Sequence, residues 1–452
     1  MQSLESKPLA PSLGPQPAAP PLRVLYYLAY YQRMAGANRV LFELITHLPN
    51  TVTPLVVLAG EGRAADAYRE AGFEVEVLPP GKHLNQFGKA MLQWSTWKRT
   101  QVVMTELLPY TWQCLALMQE WQPDLVHVDG GRGTLMIGAA AKLWGCPVVG
   151  HMHGQLPFAG ISHTYFEWIS SRIVTVCDAI QADLTPTGRA KATTIYNSVR
   201  PSLAPGQPSA WLKALKREGK LIVSCFASVV PFKGHHHLLE AVAELNRRGW
   251  ADRLVVLCVG DIEAEYQHHA GWLMQRRQAL NLHNVTFTGW QSNPFGFYQL
   301  TDIEVLPSVS YERLDYGDFE IGAGSKRALA NGLPQATGPA NRVVEIGGNE
   351  GFPTTHLEAM AFGLPIVGTD IAGVREQIEP GVNGLVVPPG DPLALADALE
   401  TLLQDGGLRS QLGQAGRDRV QRDFSTEAHV TAMVNLYRDL RPHTKQSLIP
   451  AH

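Results

Sequence analysis

The sequence predicts an α/β protein of two doubly wound domains in tandem, facing each other across a cleft. Three observations predict it. From residue 22 onward, short apolar strands alternate with amphipathic helices, the pattern of right-handed βαβ units and parallel sheets. The rhythm breaks at "RPSLAPGQPSAWLKALKREG", which holds three prolines and two glycines and has the composition of an interdomain linker. It then restarts. A chain of 452 residues is also too long for one ordinary core.

Residues 1–21, rich in Pro, Ala and Ser, lack a basic stretch followed by an apolar one. They are expected to be a flexible tail and not a signal peptide. "LRVLYYLAY", "VTPLVVLAG", "EVEVLP", "DLVHVDG", "CPVVGHMHG", "RIVTVCD" and "ATTIYNSV" are strands, with helices such as "NRVLFELITHL" and "RAADAYREAG" between them. They define an N-terminal Rossmann-like domain at 22–200 and a linker at 201–217. "KLIVSCFASV", "RLVVLCVGD", "VTFTGW", "DIEVLPS", "LPIVGTD" and "GLVVPPG" repeat the scheme in a second domain at 218–425. An insertion at about 311–349 interrupts it, and a helix and tail at 426–452 follow.

The chain is 45% hydrophobic and 17% charged, as packed globular proteins are. Its formal charge of −3 supplies no basic field for a nucleic-acid partner. Five cysteines, without a C-x-x-C motif, suit a reducing compartment and small core residues. No apolar run approaches the roughly 18 residues of a membrane span, so a soluble cytoplasmic chain is expected. "KHLNQFGKAMLQWSTWKRT" mixes Lys89, Lys98 and Arg99 with Trp94 and Trp97. It suits either peripheral contact with an anionic membrane or an ordinary half-buried helix.

The stretch "EGFPTTHLEAMAFG" carries the most chemistry. A helix is expected to start near Pro353 or Thr354, with Thr354 or Thr355 satisfying free amides and Gly363 ending it. Free N–H groups at a helix start seat phosphate. Glu350 lies in the loop before it and Glu358 about one and a half turns inside, where carboxylates suit sugar hydroxyls. A lone glutamate would be a solvated helix face. Two acids, two threonines and a Gly-Phe-Pro turn together are less common.

"EGFPTTHLEAMAFGLPIVGTDIAGVREQIEPGVNGLVVPPGD" closely resembles the signature of glycosyltransferase family 4, retaining nucleotide-sugar transferases of GT-B fold. The resemblance runs from about Leu22 to about Leu440. It implies that Glu350 holds the transferred sugar and Glu358 the nucleotide ribose, with Gly351, Phe352 and Thr354 near sugar and phosphates. In "FASVVPFKGHHHLLEAV", Lys233 and Gly234 match the diphosphate clamp, but Ala227 and Ser228 replace the family's Gly-Arg. One lost cation costs of order 1.5–3 kcal/mol, unless another base substitutes. His153, at the end of "CPVVGHMHG", matches a histidine that contacts the donor sugar; His151, two residues earlier, is easily confused with it. Gly36 and Ala37 match a small-residue loop near the phosphates, and Asn38 is placed to cap the following helix.

No Cys/His cluster has zinc spacing and no Asp-x-Asp occurs. The resemblance implies a metal-independent enzyme without cofactor. There is no G-x-S-x-G elbow, and "GAGSKRALANG" fails Walker spacing.

The chain nearly repeats itself at an offset of 31 residues. "ALANGLPQATG" begins at 328 and "AMAFGLPIVGTD" at 359. Phe319 and Arg327 stand in the first copy where Glu350 and Glu358 stand in the second, so the second copy is the expected site. The first is a surface insertion with its own short helix and an acidic rim of Glu312, Asp315, Asp318 and Glu320, or a loose duplication without a role. Residues 312–348 are therefore expected to be removable.

These readings converge on a retaining transferase that moves a hexose from a UDP- or GDP-sugar to a hydroxyl of a glycan or lipid-linked acceptor in cell-surface synthesis. The rivals are a nucleotide-sugar epimerase and a non-catalytic sugar-nucleotide-binding protein.

Overall fold

A computed structural model of the chain describes residues 20–32, 34, 36–86, 94–154, 161–200, 206–316, 343–347 and 350–441. The Pro-rich start, Lys89, Asp318, Phe319, Glu320, Arg327 and the end of the chain lie outside the described residues.

The first half forms a seven-stranded parallel sheet. Its strands are β1 (Leu22–Leu28), β2 (Val52–Leu58), β3 (Val75–Val77), β4 (Leu125–Asp129), β5 (Val148–Met152), β6 (Arg172–Thr175) and β7 (Ala192–Thr194), in the order β3-β2-β1-β4-β5-β6-β7. The order reverses between β1 and β4, which opens a crevice at their carboxyl ends. β1 is buried along nearly its whole length. That is why it reads as a continuous apolar run and not an alternating one.

The second half forms a six-stranded parallel sheet. β8 (Leu221–Phe226), β9 (Leu254–Val259), β10 (Val285–Gly289), β11 (Ile303–Leu306), β14 (Ile366–Thr369) and β15 (Gly384–Val387) run in the order β10-β9-β8-β11-β14-β15. Its crevice opens between β8 and β11. Cys225 and Cys258 face each other in the β8–β9 register, and all five cysteines are free and buried.

The insertion departs from expectation. β12 (Tyr311–Asp315) and β13 (Val343–Gly347) pair antiparallel, from Tyr311 opposite Gly347 to Asp315 opposite Val343. Leu314, Tyr316, Val344 and Ile346 are buried in the core of the second half. The base of the insertion is thus part of the core, and removing 312–348 would take these four side chains out of it. The sequence repeat is not a structural repeat here either. Val343 and Glu345 are in a strand, whereas Val374 and Glu376 belong to a short helix, Val374–Gln377.

The chain crosses between the halves twice at one place, where the Val199 amide donates to the Phe424 carbonyl at 3.1 Å. The final helix, Thr426–Leu440, then packs on the first sheet. Its Tyr437 hydroxyl meets Tyr26 at 3.3 Å and His127 at 2.6 Å. Set apart in the sequence reading, this helix belongs to the N-terminal core.

Candidate functional site

The helix Thr354–Ala361 lies within the second copy of the repeat. Pro353 occupies the cap position and no side chain caps the helix, so neither threonine does the capping expected of it. Phe362 closes the helix and Gly363, at φ +74°, follows as the C′ residue. The approach is tight at Gly351: a Cβ there would lie 2.4 Å from the His153 carbonyl oxygen. Only glycine lets this loop reach the end of β5 in the other half of the molecule.

Glu350, before the helix, forms an ion pair with Lys233 and accepts from the Ser308 hydroxyl at 3.1 Å. Lys233 ends a 3₁₀ turn after β8 and Ser308 follows β11. Glu350 therefore sits across the switch point of the second sheet. It is 8% exposed, so the pair is largely desolvated and its charges are felt strongly.

Glu358 is buried one turn into the helix. Tyr298 donates to its Oε2 at 2.9 Å, and Arg39 reaches its Oε1 at 2.9 Å from the N-terminal half. Burial pushes its carboxyl up, against the opposing pull of Arg39 and Tyr298. Arg39 also lies over the Phe295 ring at 5.7 Å. A cavity of about 180 Å³ between the halves is lined by Arg39, Glu43, Arg200, Phe295, Thr354 and Glu358.

His153 stands just past β5, its Nε2 3.7 Å from Asp129 Oδ1. Neither ring nitrogen has a hydrogen-bond partner among the described residues. Burial, then the neighbouring His429, hold its pKa down to about 3, so the ring is neutral at ordinary pH. Burial pushes Asp129 up to about 7. His151 is fully buried, and its Nδ1 is 3.2 Å from His127 Nε2 within the core. Of the two histidines, only His153 has both ring nitrogens without a hydrogen-bond partner among the described residues.

Gly36 caps the helix Ala37–Thr46 at φ +52°, a conformation costly for other residues. Asn38 is inside that helix and not its cap; its amide donates to the Tyr30 carbonyl at 2.6 Å. Ser228 follows β8, where its carbonyl accepts from the Val230 amide at 2.9 Å. The Phe352 side chain turns into the core. Its ring stacks on Tyr196 at 5.0 Å and meets Phe424 edge-on at 5.3 Å, and it is buried in the core.

Sequence reasoning missed Arg39 and Asp129. Arg39 follows an Asn that drew attention as a cap, and nothing local marks it as reaching the other half. Asp129 had a legible signal: it is an acid at the carboxyl end of the strand beside the switch point.

A family model described as "Glycosyl transferases group 1" matches residues 339–419, and another of that description matches 220–349. The "Glycosyltransferase Family 4" model matches residues 34–203. Over 217 residues the chain is 23% identical to the capsular polysaccharide biosynthesis glycosyltransferase CapM of Staphylococcus aureus, which is 48% of this chain and 45% of that protein. Over 244 residues it is 26% identical to the putative colanic acid biosynthesis glycosyltransferase WcaL of Escherichia coli K12, which is 54% of this chain and 48% of that protein. The chain spans about half the length of the curated relatives it matches. Anabaena HepE, solved in complex with UDP, superposes with a TM-score of 0.70 at 19% identity over 92% of this chain and 100% of its own. That is a likeness of fold.

Proposed function

Because the chain belongs to the group 1 glycosyltransferases and has the GT-B fold, we propose that it is a retaining hexosyltransferase that moves sugar from a nucleotide-sugar donor to an acceptor hydroxyl. The observation that carries the reading is the Lys233–Glu350 pair beside a helix start without a side-chain cap, at the switch point of the second sheet. A diphosphate sugar brings both charges that such a site complements. Its phosphates suit Lys233 and the amides after Pro353, and positive charge developing on the sugar suits Glu350.

Retention follows if the acceptor attacks the face from which the diphosphate leaves. The bond from the anomeric carbon to the diphosphate oxygen breaks, the acceptor oxygen bonds to that carbon, and the leaving diphosphate takes the acceptor's proton. The protein positions the partners and stabilises charge. His153, neutral, accepts from or donates to a sugar hydroxyl. Glu358 holds the ribose, and Arg39 supplies the cation that Ser228 does not. CapM is named for capsular polysaccharide biosynthesis and WcaL for colanic acid biosynthesis, which supports a glycan or lipid-linked acceptor. No helix among the described residues is long and apolar enough to cross a membrane.

The test is a panel of UDP-, GDP- and ADP-hexoses, followed by release of nucleoside diphosphate and by the anomeric configuration of the product. One donor turned over with retention supports the proposal. Binding without turnover of any donor favours a non-catalytic binding protein, and a changed sugar without release of diphosphate favours an epimerase.

A further inference from the structure

His236 and His237 lie in the first turn of the helix His235–Arg247, directly after the Lys233–Gly234 turn. Both aim Nε2 at one oxygen of Glu312, at 3.0 Å and 2.9 Å. Glu312 is on β12, the first strand of the inserted hairpin. The three ligand atoms lie within 4.8 Å of one another. A tetrahedral zinc site with bonds of about 2.0–2.1 Å has ligand atoms roughly 3.3 Å apart, so the cluster is already near the required spacing.

Consecutive helical residues normally diverge by about 100°. Here two adjacent imidazoles converge instead, with ring centroids 4.0 Å apart, against the Trp272 ring 6.0 Å from His236. Both histidines are buried, while the Glu312 side chain keeps 23% of its surface exposed. The cluster thus has a closed wall and one open side. Two imidazoles and a carboxylate around an open position are a donor set that zinc-type cations take.

We propose that His236, His237 and Glu312 bind a divalent cation of zinc type, with water in the open position, which fastens the inserted hairpin to the helix after the Lys233 turn. The site is separate from the Lys233–Glu350 pair and supplies no group to the donor. Its consequence is mechanical. The insertion and the phosphate-proximal turn become one unit, so loading the site stiffens both.

The test uses the untagged full chain, stripped of metal and titrated with zinc chloride. Elemental analysis after dialysis should give one zinc per chain, and cobalt(II) should give the visible bands of a tetrahedral site. Losing an outer-shell partner costs metal sites about 10–100-fold in affinity; His237→Gln and Glu312→Gln, which remove ligands, should each cost at least about 100-fold. Zinc should also slow amide exchange across Tyr311–Asp315. Wild-type chain without stoichiometric zinc, or either folded variant binding zinc as tightly as wild type, overturns the proposal. Should both variants fail to fold, the cobalt spectrum of the wild type decides: no tetrahedral bands, no site.

Discussion

Arg39 Nη1 lies 2.9 Å from Glu358 Oε1, a charge pair joining the first helix of the N-terminal half to the helix at the proposed donor seat. A nucleoside entering the cavity beside it meets a carboxylate already oriented by Tyr298. Glu358→Ala removes that acceptor. Charge-assisted hydrogen bonds contribute about 1.5–3 kcal/mol, so donor affinity measured by calorimetry should fall roughly 10- to 150-fold. Unchanged affinity would remove Glu358 from the site.

Asp129 makes stability depend on pH. Burial holds its carboxyl at about 7 in the folded chain, against 3.8 for the free group. Between those values the folded form keeps a proton that the unfolded form has lost, so this contribution falls as pH rises from about 4 to about 7 and is level beyond. The slope is at most about 1.4 kcal/mol per pH unit. Asp129→Asn has no such proton to lose. The stability difference between the two proteins in urea should therefore shift steadily in the variant's favour across that range. A difference independent of pH would refute the shifted carboxyl.

Phe352 is expected to matter for stability and not for donor recognition. Its ring fills a site between Tyr196 and Phe424. Phe352→Ala should destabilise the chain by about 3–5 kcal/mol, seen as a lowered denaturation midpoint. Donor affinity measured well below that midpoint should stay within a few-fold of wild type. A large loss of affinity in a fully folded variant would return the ring to the ligand.

Chelation separates the donor chemistry from the inserted hairpin. The proposed donor seat uses Lys233, Glu350, Glu358 and helix amides, and the metal-type cluster among the described residues uses His236, His237 and Glu312 instead. EDTA should therefore leave initial rates of transfer within about twofold at temperatures far below unfolding, if, as proposed, Lys233 and the helix amides rather than a metal hold the diphosphate. Loss of activity restored by manganese would place a metal at the donor.

Both sheets were legible because their strands are buried runs of Val, Ile and Leu between amphipathic helices, as at Leu22–Leu28 and Leu221–Phe226. The loop and helix with Glu350 and Glu358 were legible because their chemistry is local in sequence. Arg39 was not, since its partner lies 319 positions away. Nor was the fate of Glu312. In sequence it is one of four acids in a polar insertion, and only pairing of β12 with β13 turns it toward two histidines. The burial of the Phe352 ring was hidden for the same reason as Arg39: Tyr196 and Phe424, which enclose it, come from distant segments.

The central claim is that the second copy of the repeat holds the sugar, at Glu350. It is tested most directly by turnover of the preferred donor with Glu350→Gln and Glu320→Gln compared side by side. Neutralising Glu350 removes negative charge where the transition state gains positive charge and strips Lys233 of its partner. Turnover should fall by two orders of magnitude or more, as when charge-stabilising groups are lost from other active sites. Glu320→Gln should remain within a few-fold of wild type. Turnover abolished by Glu320→Gln and spared by Glu350→Gln would contradict the account and move the site to the first copy.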